Sequence, residues 1–154
     1  MKPGSKRLFF RIGPCAALVS GLSIAGGSSA LAACETVWVD VYDVGVEVGR
    51  AEYRIGDTAI VEATVTRRDT GAPVEDADFA AIATGARKGW VFGWDRTDDQ
   101  GHATARIKLK KDAVRPGPMD LRAVALEQTA DAASCAQVYE YGETEVDEAF
   151  VVKR

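Results

Sequence analysis

The segment His102–Lys110, HATARIKLK, decides how this chain folds. Ala103, Ala105, Ile107 and Leu109 alternate with His102, Thr104, Arg106 and Lys108. Successive side chains on a strand point to opposite faces, so this order builds one apolar face and one polar face. A helix would need apolar residues three and four positions apart. The segment reads as a half-buried β-strand.

The same period of two recurs on both sides of it. Thr58–Arg67 sets Ala59, Val61, Ala63 and Val65 against Glu62, Thr64 and Thr66. Glu75–Thr84 puts Ala77, Phe79, Ala81 and Ala83 on one face, and Thr36–Asp43 does so with Val37, Val39 and Val41. Trp90, Phe92 and Trp94 alternate with Val91, Gly93 and Asp95. Met119–Glu127, Cys135–Tyr141 and Thr144–Lys153 complete the candidate strands. Between them stand Gly56-Asp57, Asp69-Thr70-Gly71-Ala72-Pro73, Asp98-Asp99-Gln100-Gly101 and Pro116-Gly117-Pro118, all built from turn residues. Only Ala130–Ala133 has the composition of a short helical turn. The expectation is an all-β protein: a single sandwich of about 7–8 antiparallel strands.

Residues 1–33 read differently. Lys2, Lys6, Arg7 and Arg11 precede an apolar run, Ile12–Ala25, and a small-residue stretch from Gly26. That is the layout of a cleaved signal peptide, and the run is shorter than the roughly 20 residues of a membrane span. The expected division is a signal peptide over 1–33 and one domain over 34–154, exported to the cell surface, the periplasm or the medium. The whole chain has 19 Lys+Arg and 23 Asp+Glu. Four of the bases and none of the acids fall in 1–33, so the remainder carries 15 minus 23, a net of −8. Such a charge disfavours nucleic acid and anionic lipid as partners.

Cys15 lies inside the signal, which leaves Cys34 and Cys135. Leu31-Ala32-Ala33-Cys34 resembles a bacterial lipobox, whose cysteine is acylated. Ala30-Leu31-Ala32 also satisfies an ordinary signal peptidase, and Cys34 and Cys135 are then free to form a disulfide. The disulfide is the preferred reading. A lipidated Cys34 would leave Cys135 as a lone thiol in an oxidising compartment, and almost no polar tether separates Cys34 from the first strand.

Tyr53…Gly56-Asp57, Gly71-Ala72-Pro73-Val74, Thr97-Asp98…Gly101…Ala103 and Pro116-Gly117 occur in an order and spacing that resembles bacterial Ig-like domains. These are the domains of the invasin/intimin type and the similar macroglobulin-like sandwiches; the likeness covers about residues 50–126. The resemblance implies a module of surface proteins, usually repeated in tandem, with no catalytic residues. This chain carries one copy.

Four groups of residues carry candidate chemistry. His102, the one histidine, stands on the polar face of its strand with no nucleophile near it in sequence, so a Ser-His-Asp site is not expected. Asp95, Asp98 and Asp99 crowd one turn and are a weak calcium candidate. Their spacing is not that of an EF-hand, and Asp before Gly is ordinary turn chemistry. Trp90, Phe92 and Trp94 are a row of rings on one strand face. Set against strands with small inward residues, they are expected to fill the core. The alternative is a platform for stacking sugar rings, with Gly89 and Gly93 marking close approach of a ligand. Finally, Arg106, Lys108, Lys110, Lys111 and Arg115 form a basic cluster, while residues 123–152 hold only acids among their charged side chains, including Glu140, Glu143, Glu145, Asp147 and Glu148. Two solvated, mutually attracting faces are expected.

These readings converge on an exported, non-catalytic Ig-like binding or structural module without cofactor, facing an unidentified protein or polysaccharide partner. The alternatives are a carbohydrate-binding module using the aromatic row and a calcium-stabilised adhesion domain.

Overall fold

The structure, a computed structural model, describes residues 35–85, 89–130 and 137–154. The proposed signal peptide and both Cys34 and Cys135 lie outside the described residues, as does most of Ala130–Ala133. Among the described residues there are nine strands: β1 (Thr36–Asp40), β2 (Tyr42–Val48), β3 (Glu52–Arg54), β4 (Thr58–Arg67), β5 (Asp78–Gly85), β6 (Trp90–Arg96), β7 (His102–Lys108), β8 (Gly117–Ala130) and β9 (Gln137–Lys153). They form two sheets, one of six strands in the order β1-β9-β8-β5-β6 with β3 also on β9, and one of three in the order β2-β4-β7. The all-β sandwich is thus present. No helix among the described residues is long and apolar enough to cross a membrane.

Alternation places the core as read. Ala59, Val61, Ala63 and Val65 of β4, Phe79, Ala81 and Ala83 of β5, and Ala103, Ala105 and Ile107 of β7 are all buried. The Asp98–Gly101 turn closes with the Gly101 N–H donating to the Asp98 carbonyl at 2.9 Å. Gly101 takes φ 74°, which side chains resist, and a Cβ there would lie 2.4 Å from the Val65 carbonyl oxygen.

Three features depart from expectation. Thr36–Asp43 is not one strand. Val41 donates its N–H to Tyr141 in the large sheet and accepts from Arg68 in the small one, so the chain changes sheets there. Tyr42, next in line, turns into the core and begins β2, whose alternation the mixed run YDVGVEV obscures. The last two expected strands are one, β9, of 17 residues. And β1 and β3 each pair with β9 in parallel, whereas the other pairings are antiparallel.

The aromatic row is a correction. Trp90, Phe92 and Trp94 are not core; they stand on the outer face of β6 at 61, 55 and 71% exposure. The bulk they were expected to supply comes from Tyr42, Tyr53, Phe79, Met119, Leu121 and Phe150. Parity follows from the inner neighbour. A Cβ on Gly93 would lie 2.6–2.9 Å from backbone atoms of Arg106, because β6 and β7 close on each other at this edge of the sandwich. Only glycine fits inward at that level, so the flanking aromatics must point out. The close approach at Gly93 is that of β7, not of a ligand.

Candidate functional site

The outer face of the six-stranded sheet is built from residues that share cross-strand rows. Trp90 lies opposite Thr84, Phe92 opposite Ile82 and Trp94 opposite Ala80. Behind them, Asp120, Arg122 and Val124 of β8 continue those rows. The Trp90 and Phe92 rings lie 5.7 Å apart with planes 28° from parallel, an offset stack that holds both in place. Arg96 binds Asp78 at 3.1 Å beside Trp94. Arg122 is bound to Glu143, with Glu145 at 3.8 Å, and that hydrogen bond raises the guanidinium pKa further. The result is an open apolar ridge bordered by fixed ion pairs. Such a surface suits an extended polymer or a flat partner better than a small molecule, which needs a concave pocket.

A second aromatic cluster sits at the other edge of the same face. Trp38 of β1, 58% exposed, stacks on Tyr139 with centroids 4.6 Å apart and meets Tyr141 edge-on at 6.2 Å. Trp38 and Tyr139 are register partners in the parallel β1–β9 pair, which brings the two rings together. Sequence reading singled out neither: a lone Trp among valines gives no local signal.

The remaining candidates fall elsewhere. His102 is exposed on the outer face of the small sheet, in a row with Thr64 and Gly45, and a shallow depression there is also lined by Glu47, Glu62 and Thr104. Asp95 and Asp98 are committed to backbone. Asp95 accepts the Thr104 N–H at 2.7 Å, and Asp98 accepts those of His102 and Gln100 at 2.8 and 2.9 Å. The His102 N–H, chief among these donors, lowers the Asp98 pKa. Among the described residues no three His, Cys, Asp or Glu side chains converge as metal ligands. Asp98 thus holds the turn and Asp95 ties β6 to β7.

The two charged faces do not meet each other as expected. The acids of β9 are answered by Arg122 and Arg67, and Lys108 of the basic cluster donates instead to the Gly56 carbonyl at 2.6 Å. Arg67 belongs to a buried-edge network. Its guanidinium holds Glu140 at 3.0 Å, and the Tyr42 hydroxyl lies 2.8 Å from Glu127 and 3.1 Å from Glu140. Glu127 and Glu140 are direct cross-strand partners, a like-charge pair that one phenol and one guanidinium compensate. The Arg67 hydrogen bond holds Glu140 below its ordinary 4.5. Burial, then the bond to Glu127, pushes the Tyr42 hydroxyl far above 10.0.

A pH dependence follows from these directions. The Glu140 contribution is complete above pH 4.5 and drains as pH falls through the lowered folded value. The Tyr42 contribution is complete below pH 10.0 and drains as pH rises past it. Melting temperature should therefore be flat between these limits and fall on both sides. Glu140→Gln should make the acid limb shallower, and an unchanged acid limb in that variant refutes the assignment.

No protein-family model matches this chain, and no curated protein matches it.

Proposed function

We propose that the protein is an exported, non-catalytic Ig-like module that binds an extended glycan along β6. One observation carries the reading: Trp90, Phe92 and Trp94 form a solvent-facing row that the fold does not need for its core. Alternate residues on a strand repeat about every 6.7 Å, so the row offers successive apolar contacts along one line. The Asp78–Arg96 and Arg122–Glu143 pairs border it with hydrogen-bonding groups suited to hydroxyls. The Ig-like assignment rests on the two-sheet sandwich together with the order of turn motifs around Gly56, Gly71 and Gly101.

The test is tryptophan fluorescence and affinity electrophoresis of the purified protein against a broad polysaccharide panel. At least one glycan should shift the emission. Trp90→Ala and Trp94→Ala should each weaken binding at least about tenfold, or 1.4 kcal/mol. Trp38→Ala, at the far edge, should leave it unchanged. Silence across the panel would remove the glycan reading.

The same proposal includes a Cys34–Cys135 disulfide. Thr36 pairs with Gln137, and the Gln137 N–H donates to the Glu35 carbonyl at 2.9 Å. Thr36 and Gln137 each follow a cysteine by two residues in the sequence, Cys34 and Cys135.

A further inference from the structure

We infer that β1 is a self-pairing edge, through which two copies of this chain join their large sheets in antiparallel fashion about Trp38. The two ends of the six-stranded sheet are treated differently. At β6 the edge is closed, with Gly93 against the β7 backbone and the Asp95 carboxylate on the Thr104 N–H. At β1 it is open: the strand pairs with β9 on one side, and no strand among the described residues pairs with the other.

Backbone parity says which groups the open side presents. The Glu35 carbonyl accepts from Gln137 and the Val41 N–H donates to Tyr141, so odd-numbered residues serve the β9 ladder. Thr36, Trp38 and Asp40 then turn their N–H and C=O groups outward. These groups match their own copy. With Trp38 opposite Trp38 of a second chain, Thr36 faces Asp40 and Val37 faces Val39. Every outward N–H and C=O of the five-residue strand then finds a partner. The arrangement is two-fold symmetric and closes on itself, as stable homodimers require.

Side chains agree with that register. Val37 and Val39 are each 36% exposed and Trp38 is 58% exposed, so pairing covers apolar surface on both faces of the edge. Asp40, the only charge in the strand, lies opposite Thr36 rather than a second carboxylate, and Arg68 already neutralises it at 3.0 Å. β1 carries no Lys, no Pro and no bulge, and its one charge, Asp40, stands at its end.

The contact is small, so the dimer is a weak one, populated between about 10 µM and 1 mM. Sedimentation equilibrium of the purified protein should show the average mass rising towards twice the monomer over that range. Trp38→Lys should hold it at the monomer mass, and Trp90→Lys, on the closed edge, should behave as the parent. The register has its own readout that does not depend on the stability of a lysine variant. Val37→Cys mixed with Val39→Cys should form a cross-chain disulfide, mapped by mass spectrometry, far faster than either variant alone, because those positions are about 4.5 Å apart across the pair. A parent that stays monomeric to about 1 mM overturns the inference. So does association blocked by Trp90→Lys but not by Trp38→Lys, or cross-linking no faster in the mixture.

Discussion

Gly93→Ala should destabilise the protein by about 3 kcal/mol, a large share of what a domain of this size has. The added Cβ would meet the Arg106 carbonyl oxygen at 2.6 Å and the Arg106 amide nitrogen at 2.9 Å. Both are backbone atoms of β7, which β4 holds in register on its other side, so neither can swing away as a side chain would. Relief requires prising the β6–β7 edge apart, which strains the Asp95–Thr104 hydrogen bond at the same place. Gly45→Ala is the matched control. It also lies in a strand, but its Cβ would find only the Thr64 carbonyl at 3.8 Å, an ordinary contact. That substitution should change stability by under about 1 kcal/mol, with the sign favouring alanine because the unfolded chain loses freedom. Urea unfolding of the two variants separates the cases. Equal midpoints would show that the sheets do not close at Gly93.

Reduction should cost the protein about 4–5 kcal/mol through loss of the proposed Cys34–Cys135 bridge. The loop spans about 100 residues, and long closures restrict the unfolded chain most in the entropy model. For a domain of this size the melting temperature should fall by roughly 10–20 °C in reductant. Cys135→Ser should reproduce the loss and be insensitive to reductant. The protein isolated from its native source should gain about 2 Da on reduction, one hydrogen on each sulfur. A mass raised by a diacylglycerol, with no change on reduction, would establish a lipoprotein and overturn the bridge.

Most strands were legible because their alternation is unbroken: HATARIKLK became β7 with the expected face buried, and the 58–67 and 75–84 segments did likewise. Turns at Gly56, Gly71 and Gly101 were legible because each glycine takes a positive φ that few other residues accept. β2 and β3 were not. Tyr42 and Tyr53 supply core bulk from segments whose small and charged neighbours hide the period. Missing those two rings, and counting on Trp90, Phe92 and Trp94 to fill a core of mostly small inward residues, led to the wrong face for the aromatic row. Gly93 was the available clue, since a glycine at strand centre opposite three aromatics signals a close backbone neighbour on its own side.

By itself the sequence determined the all-β class, the inward faces of β4, β5 and β7, and the turns between strands. Each of these is a local property, set by a two-residue period or by a glycine's dihedral freedom. Only the tertiary structure decided which strand neighbours which. Pairing β9 in parallel with β1 and β3, switching sheets at Val41 and closing β6 on β7 are contacts between distant residues that no local pattern encodes. That closure turns Trp90, Phe92 and Trp94 to solvent, and the register of β1 on β9 leaves Trp38 at an open edge. Both surfaces from which a binding role is read therefore follow from where strands meet, not from the residues' own preference for burial.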